Sequence, residues 1–206
     1  AEKFFQNAIQ YGTGGTCCES NYAFRTLLLA LGFDCSLHFC DMEKEEPNPH
    51  CAVVAKVDGK QYIADVGYPI SSALEFNVEE STVVATPVYH FKAIPHNNGY
   101  WEVRRQAGSY ESQAFILKGD AIEEDTFSER LLQDHEPDGL FLNEVILSRT
   151  TNTCMCRYSE SKGLVKRTLD SEEMIELSSE QIADLSSTLA KIFDYDREII
   201  ATALNR

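Results

Sequence analysis

The spacing of apolar residues changes once near Gly32, and that change limits the folds open to this chain. Upstream, Phe24, Leu27, Leu28 and Leu31 recur at i, i+3, i+4 and i+7, the period of a helix with one apolar face. Downstream, from Cys35 to about Leu117, apolar and polar residues alternate, as in half-buried strands. The pattern predicts helices over 3–10 and 17–31, the second stopped by Gly32. It predicts strands over 35–41, 50–57, 60–66, 87–94, 99–105 and 113–118. Several short strands separated by turn residues such as Asp58-Gly59 point to a barrel or a curled sheet.

A third region follows the acidic run Glu123-Glu124-Asp125. A short helix near 126–133 is expected there, then strands near 140–149, 152–158 and 163–169. A last helix over 179–193 starts at a capping box of Ser178 and Gln181 and has Ile182, Leu185, Leu189 and Ile192 as its face. The reading is an α+β chain in three parts: an N-terminal helical segment over 1–34, a β-barrel domain over 35–120 and an α/β lid domain over 121–206.

Composition excludes several function classes. The net charge of -15, with no Lys/Arg-rich run to offset it, repels nucleic acid. The longest apolar stretch, around Leu27 to Phe33, is too short to span a bilayer, so no membrane is expected. No basic region followed by an apolar one opens the chain, so no secretory signal is expected. Seven cysteines, an odd number in a chain too large to need staples, favour a reduced cytoplasmic setting. Neither Cys154 and Cys156 nor the Cys35/Cys40 pair has the spacing of a zinc site, and no metal is expected.

Three residues stand in chemically useful contexts. Thr16 and Glu19 form a capping box that puts Cys17 at the first position of a helix. Unpaired N–H groups and the positive end of the helix dipole favour a thiolate there, and the same N–H groups can serve as an oxyanion hole. Gly14 and Gly15 keep side chains out of the approach to the sulfur. Cys18 points about 100° away around the helix and is expected to pack inside. Further on, Asp58-Gly59 is a two-residue hairpin signal. With Val57 opposite Lys60, Ala52 lies opposite Asp65, and His50 becomes its diagonal neighbour on the same face. An aspartate so placed holds one imidazole nitrogen and leaves the other for a nucleophile.

The run Gly14-Gly15-x-Cys17-x-Glu19-x-Asn21, followed by His50 and then by Asp65-Val66-Gly67-Tyr68, resembles the arylamine N-acetyltransferases. That family's nucleophile motif is Arg-Gly-Gly-x-Cys-x-Glu/Gln-x-Asn, its histidine and aspartate have the same interval, and an Asp-Val-Gly-aromatic run follows. The resemblance implies the family's cysteine-triad, transglutaminase-like architecture and a ping-pong acyl transfer. Cys17 would take an acetyl group from acetyl-CoA and pass it to an aromatic amine, hydrazine or N-hydroxyarylamine. His50 would pair with the thiolate and shuttle protons, and Asp65 would orient His50. Tyr68 would line the acceptor pocket, with Pro49 beside the same cleft.

The match departs from the family at three places. Thr13 replaces the usual arginine, Pro69 stands where glycine is common, and the chain opens only sixteen residues before Cys17, so the helical part is expected to be short. CoA carries several phosphates that an acidic chain repels, and Arg104, Arg105, Lys162, Lys166 and Arg167 are the cations available to offset this. Two other readings are open on the residues. One is a related cysteine-triad amide synthase or thiol hydrolase using a different acyl donor. The other is a non-catalytic homologue.

Overall fold

A computed structural model of the chain describes residues 1–42, 50–68, 70–76, 82–96, 98–136 and 143–205. Helix α1 (Glu2–Tyr11) ends on Gly12, whose left-handed φ of 68° lets its N–H return to the Ala8 carbonyl. A short link leads to α2 (Cys17–Ala30), which begins at the expected capping box. There the Thr16 hydroxyl accepts from the Glu19 N–H at 3.3 Å, and the Glu19 carboxylate accepts from the Thr16 N–H at 2.8 Å. The box fixes where the helix starts, and so fixes Cys17 at its first turn.

Eight antiparallel strands then form one curled sheet: β1 (Asp34–Asp41), β2 (His50–Val57), β3 (Lys60–Ala64), β4 (Leu74–Phe76), β5 (Thr82–Ala85), β6 (His90–Pro95), β7 (Trp101–Ala107) and β8 (Tyr110–Ala121). Their spatial order is β4-β3-β2-β1-β8-β7-β6-β5. The two ends of the sheet meet, with β4 against β5 and β6, so the barrel is nearly closed. Pairing irregularities at His38/Cys40 and at Val103/Arg104 supply bends of the kind closure needs.

The β2–β3 hairpin has the predicted register, Val57 opposite Lys60 and Val53 opposite Ala64, around a turn at Asp58 (φ 51°) and Gly59 (φ 77°). Strand β2 is buried on both sides. Ala52 and Val54 face the barrel interior with Ile63, Phe91, Val103 and Phe115, while Cys51, Val53 and Ala55 face outward under α2. Fully burying side chains such as Phe91 and Phe115 contributes about 1.5–3 kcal/mol each.

Beyond the barrel, α3 (Glu124–Asp134) leads to a second antiparallel sheet of β9 (Ile146–Thr150), β10 (Met155–Ser159), β11 (Gly163–Arg167) and β12 (Glu172–Ile175), in the order β12-β11-β10-β9. Three helices close the chain: α4 (Ser179–Ala183), α5 (Leu185–Phe193) and α6 (Arg197–Leu204). Tyr158, Leu164, Leu189, Phe193 and Ile200 form a separate core for this unit. The sequence placed α3 with the lid, yet its Phe127 and Leu131 pack into the cluster between α2 and the outer barrel face.

Other expectations need correction. Leu27 and Leu31 of the predicted α2 face are 41% and 65% exposed, and the helix instead buries Cys18, Asn21 and Ala23. The predicted helix over 179–193 is two helices, broken at Asp184, whose carboxylate caps α5 by accepting from the Ser187 N–H. Ile182, expected on the buried face, is 61% exposed. Strands β4, β5 and β12 and helix α6 are additional to the elements that the sequence pattern predicts.

Candidate active site

The three residues singled out in the sequence meet at one end of the barrel. His50, the first residue of β2, shares the interior parity of Ala52 and Val54 and packs its ring 5.2 Å from Phe115. Asp65 follows the last residue of β3, and its Oδ2 lies 2.6 Å from His50 Nε2, both groups buried. The Cys17 thiol is coupled to the same imidazole, which lowers the thiol's pKa while the sulfur raises that of the ring. With Nε2 committed to the carboxylate, Nδ1 is the ring nitrogen left for sulfur.

Asp65 is held by more than His50. Its Oδ1 accepts from Asn21 Nδ2 at 2.8 Å and from the backbone N–H of Gly67 and Tyr68 at 2.9 and 3.0 Å. Four donors converge on one carboxylate, which fixes its orientation. Asn21 is fully buried and makes two further bonds, donating to the Cys51 carbonyl at 2.8 Å and accepting from the Val66 N–H at 3.0 Å. It ties α2, which carries the nucleophile, to both strands of the hairpin that carries the other two residues. The motif contained Asn21 without assigning it a task. Its position four residues after Cys17, on the same helix face, is the sequence feature that places it beside the nucleophile.

Gly67 shows how closely the parts fit. A Cβ there would lie 2.5 Å from Cys17 Cα, 2.7 Å from Cys17 Cβ and 2.9 Å from Asn21 Nδ2. The other two glycines of the motif serve packing as well. The Gly14 N–H donates to the Tyr195 hydroxyl at 3.1 Å, joining the nucleophile loop to the segment between α5 and α6, and Gly15 lies against Phe4 and Glu19.

The protonation of the pair differs from the simple expectation of a thiolate at a helix start. The hydrogen bond with Cys18 and then burial push the Cys17 thiol up, opposed by the hydrogen bond and charge of His50. Burial pulls the His50 imidazole down, but the charge and hydrogen bond of Asp65, aided by Cys17, raise it to about 10. Position at the helix start does not by itself give a free thiolate here. The proton on sulfur is contested by an imidazole that Asp65 has made strongly basic, and the two groups titrate together.

Tyr68 stands beside this pair, its ring edge-on to His50 at 5.9 Å and to Phe115 at 5.6 Å. Pro49 and Pro69 lie outside the described residues. Of the five cations noted in the sequence, Arg104 is paired with Glu102 and Glu111, and Lys166 with Glu173. Arg105, Lys162 and Arg167 line a cleft between the barrel and the second sheet. The other histidines lie outside this arrangement. His38, for example, is held by Ser36 and the Lys118 carbonyl, and burial lowers its pKa.

A family model described as N-acetyltransferase matches residues 1–198. The chain belongs to the arylamine N-acetyltransferase family. Solved structures of that family share the fold. The arylamine N-acetyltransferase of Salmonella typhimurium aligns with a TM-score of 0.75 at 15% identity, covering 93% of this chain and 75% of that one. The Mycobacterium marinum enzyme, solved in complex with CoA, aligns at 0.80 and 15% identity, covering 98% and 80%. A third, from Bacillus cereus, is described as having a unique Cys-His-Glu catalytic triad and aligns at 0.74 and 13% identity, covering 95% and 79%. No curated protein matches the sequence. Among the described residues, no helix is long and apolar enough to cross a membrane.

Proposed function

We propose that this chain is an acetyl-CoA-dependent arylamine N-acetyltransferase working by a ping-pong mechanism, with Cys17, His50 and Asp65 as its catalytic triad. The observation that carries the reading is the buried Asp65, which uses one oxygen to hold His50 and the other to tie down the loop against Cys17. An aspartate needed only for structure has no reason to aim its second oxygen at an imidazole that bonds a thiol.

In the first half-reaction the Cys17 proton passes to His50, and the sulfur attacks the acetyl carbonyl of the donor. The bond between that carbonyl and the CoA sulfur breaks, and CoA leaves as a thiol with the proton from His50. In the second, an amine nitrogen attacks the Cys17 thioester, His50 takes the amine proton, and the thiol is restored as the acetamide departs. Two steps through a thioester replace one slower direct transfer. The charge of Asp65 stabilises the imidazolium in both halves. The first-turn amides of α2 would donate to the oxyanion that develops beside Cys17.

Tyr68 would form the acceptor wall, where its ring meets an aromatic amine next to His50. The aromatic acceptor and the CoA donor are carried over from the relatives' described activities, including the CoA-bound Mycobacterium marinum structure. The three-part division at 34/35 and 120/121 is retained as the domain reading, with α3 packed on the barrel. Seven cysteines, an odd number in a chain too large to need staples, suit a reducing, cytoplasmic setting.

The test is intact-protein mass spectrometry after mixing with acetyl-CoA and no acceptor, beside Cys17→Ser. A single acetyl adduct on the native chain, absent from the variant and discharged by an arylamine, is expected. No adduct on the folded native chain would overturn the reading and favour a different acyl donor.

A further inference from the structure

The link from α1 to the nucleophile runs Gly12-Thr13-Gly14-Gly15-Thr16, so few side chains of its own set its path. The capping box fixes Cys17 relative to Thr16, and Asn21 ties α2 to the hairpin one turn further on. Neither holds the link itself. Its contacts lead to a remote place in the chain, the corner Asp194-Tyr195-Asp196 between α5 and α6, with Tyr195 lying 181 residues beyond Gly14.

Three successive corner residues meet the link. The Asp196 N–H donates to the Tyr11 carbonyl at 3.1 Å, and a Cβ on Gly12 would lie 2.6 Å from the Asp194 carbonyl oxygen. The Tyr195 hydroxyl accepts from the Gly14 N–H at 3.1 Å, and a Cβ on Gly14 would lie 3.2 Å from that hydroxyl. The corner is itself well fixed. Asp194 ends α5 with a left-handed φ of 59°, and its carboxylate accepts from Arg149 at 3.1 Å. The Asp196 carboxylate caps α6, accepting from the Glu198 and Ile199 N–H groups at 2.9 and 3.1 Å. Tyr195 packs against the core that contains Leu189, Phe193 and Ile200. Its hydroxyl is therefore a fixed acceptor, whereas a water in its place would satisfy the Gly14 amide without holding it.

We propose that Tyr195 is a positioning residue for the nucleophile: its hydroxyl, presented by the α5–α6 corner, holds the link at Gly14 and so sets where Cys17 stands against His50. The role rests on the reading of Cys17 as nucleophile given above. A shift at Gly14 has little room to die out before it reaches the helix. Gly15 is wedged between Phe4 and Glu19, whose atoms a Cβ there would approach within 2.9 and 2.8 Å. The displacement passes to Thr16 and from there to the first turn of α2. The second sheet and its helices thus take part in the chemistry without touching a substrate.

Tyr195→Phe keeps the ring and its packing and removes only the acceptor. Two reactions of Cys17 are followed in it: single-turnover acylation by acetyl-CoA, and alkylation by iodoacetamide across pH, localised by peptide mass. Acylation at saturating donor should slow about tenfold, with the half-saturating concentration unchanged. His50 lowers the pKa of the thiol, so a sulfur displaced from the ring should move the alkylation profile to higher pH. Gly14→Ala, whose Cβ would press on the hydroxyl, should also slow acylation. The double variant should be no slower than the slower single one, because both changes act through one contact.

A native acylation rate and a native alkylation profile in Tyr195→Phe, whatever its melting temperature, would overturn the role and leave Tyr195 as packing alone. Additive losses in the double variant would overturn it too. If the native chain is not acylated at all, the acetyl-CoA reading fails by itself, and the alkylation profiles of the single and double variants still decide for or against Tyr195.

Discussion

Gly67→Ala is the smallest change that tests whether the site depends on the approach of the hairpin to the helix. The new methyl carbon would sit 2.5 Å from Cys17 Cα and 2.7 Å from its Cβ. Carbon atoms rest at about 3.5–4.0 Å, so one element must retreat by about 1 Å. The obstacle is backbone at the first turn of a capped helix, and rotation of a side chain cannot clear it. Overpacking of this kind costs about 3 kcal/mol, which lowers the melting temperature by about 6–12 °C for a chain of this size. The sulfur moves relative to His50 as well, and a misplacement of about 1 Å costs about 10²-fold in rate.

The assay is single-turnover acylation of Cys17 followed by intact mass, beside a thermal melt. Gly32→Ala is the control. Its φ of 89° makes alanine strained, but nothing lies within 4 Å of the added carbon, so it should lower stability by about 1 kcal/mol without slowing acylation. Native acylation and an unchanged melting temperature in Gly67→Ala would refute the argument that this contact positions the nucleophile.

Four further outcomes are expected. Asn21→Ala leaves the Cys51 carbonyl and the Val66 N–H without their partner, and should cost about 3 kcal/mol by denaturant titration together with a loss of acylation rate. Asp65→Asn should keep the fold but slow acylation by about 10⁴-fold through the wrong imidazole tautomer, measured by single turnover. Cys18→Ala removes the largest upward influence on Cys17, so the pH profile of Cys17 alkylation by iodoacetamide should shift to lower pH. The fourth concerns pH and stability. His50 is raised from 6.5 to about 10, so its contribution to stability is complete below pH 6.5 and is lost as pH rises towards 10. Urea titrations across that window should show stability falling, with a shallower slope in His50→Gln.

What could be read from the sequence was whatever short-range physics decides. The capping box at Thr16 and Glu19 set the start of α2, because both partners lie within one turn. The Asp58-Gly59 turn set the register of the hairpin, because a two-residue loop leaves no other pairing, and the register alone put His50 and Asp65 on one face. Strands β4, β5 and β12 carry no legible sequence pattern because they have three or four residues each and are defined by their partners across the sheet. The helix after Ser178 looked continuous because its apolar spacing runs through Asp184, whose capping bond to Ser187 breaks it.

The amino-acid sequence by itself determined the kinds of groups at the site and the local geometry of each. The tertiary structure alone decided how they act on one another. Burial and the Cys18 hydrogen bond push the Cys17 thiol up, so activation depends on an imidazole brought from another element and made basic by Asp65. Asn21 binds helix to hairpin, and Gly67 lets them touch. Arg105 and Arg167 share one tyrosine across two sheets. Such effects depend on burial and on distances between residues far apart in the chain, and neither exists until the barrel and the lid have folded against each other.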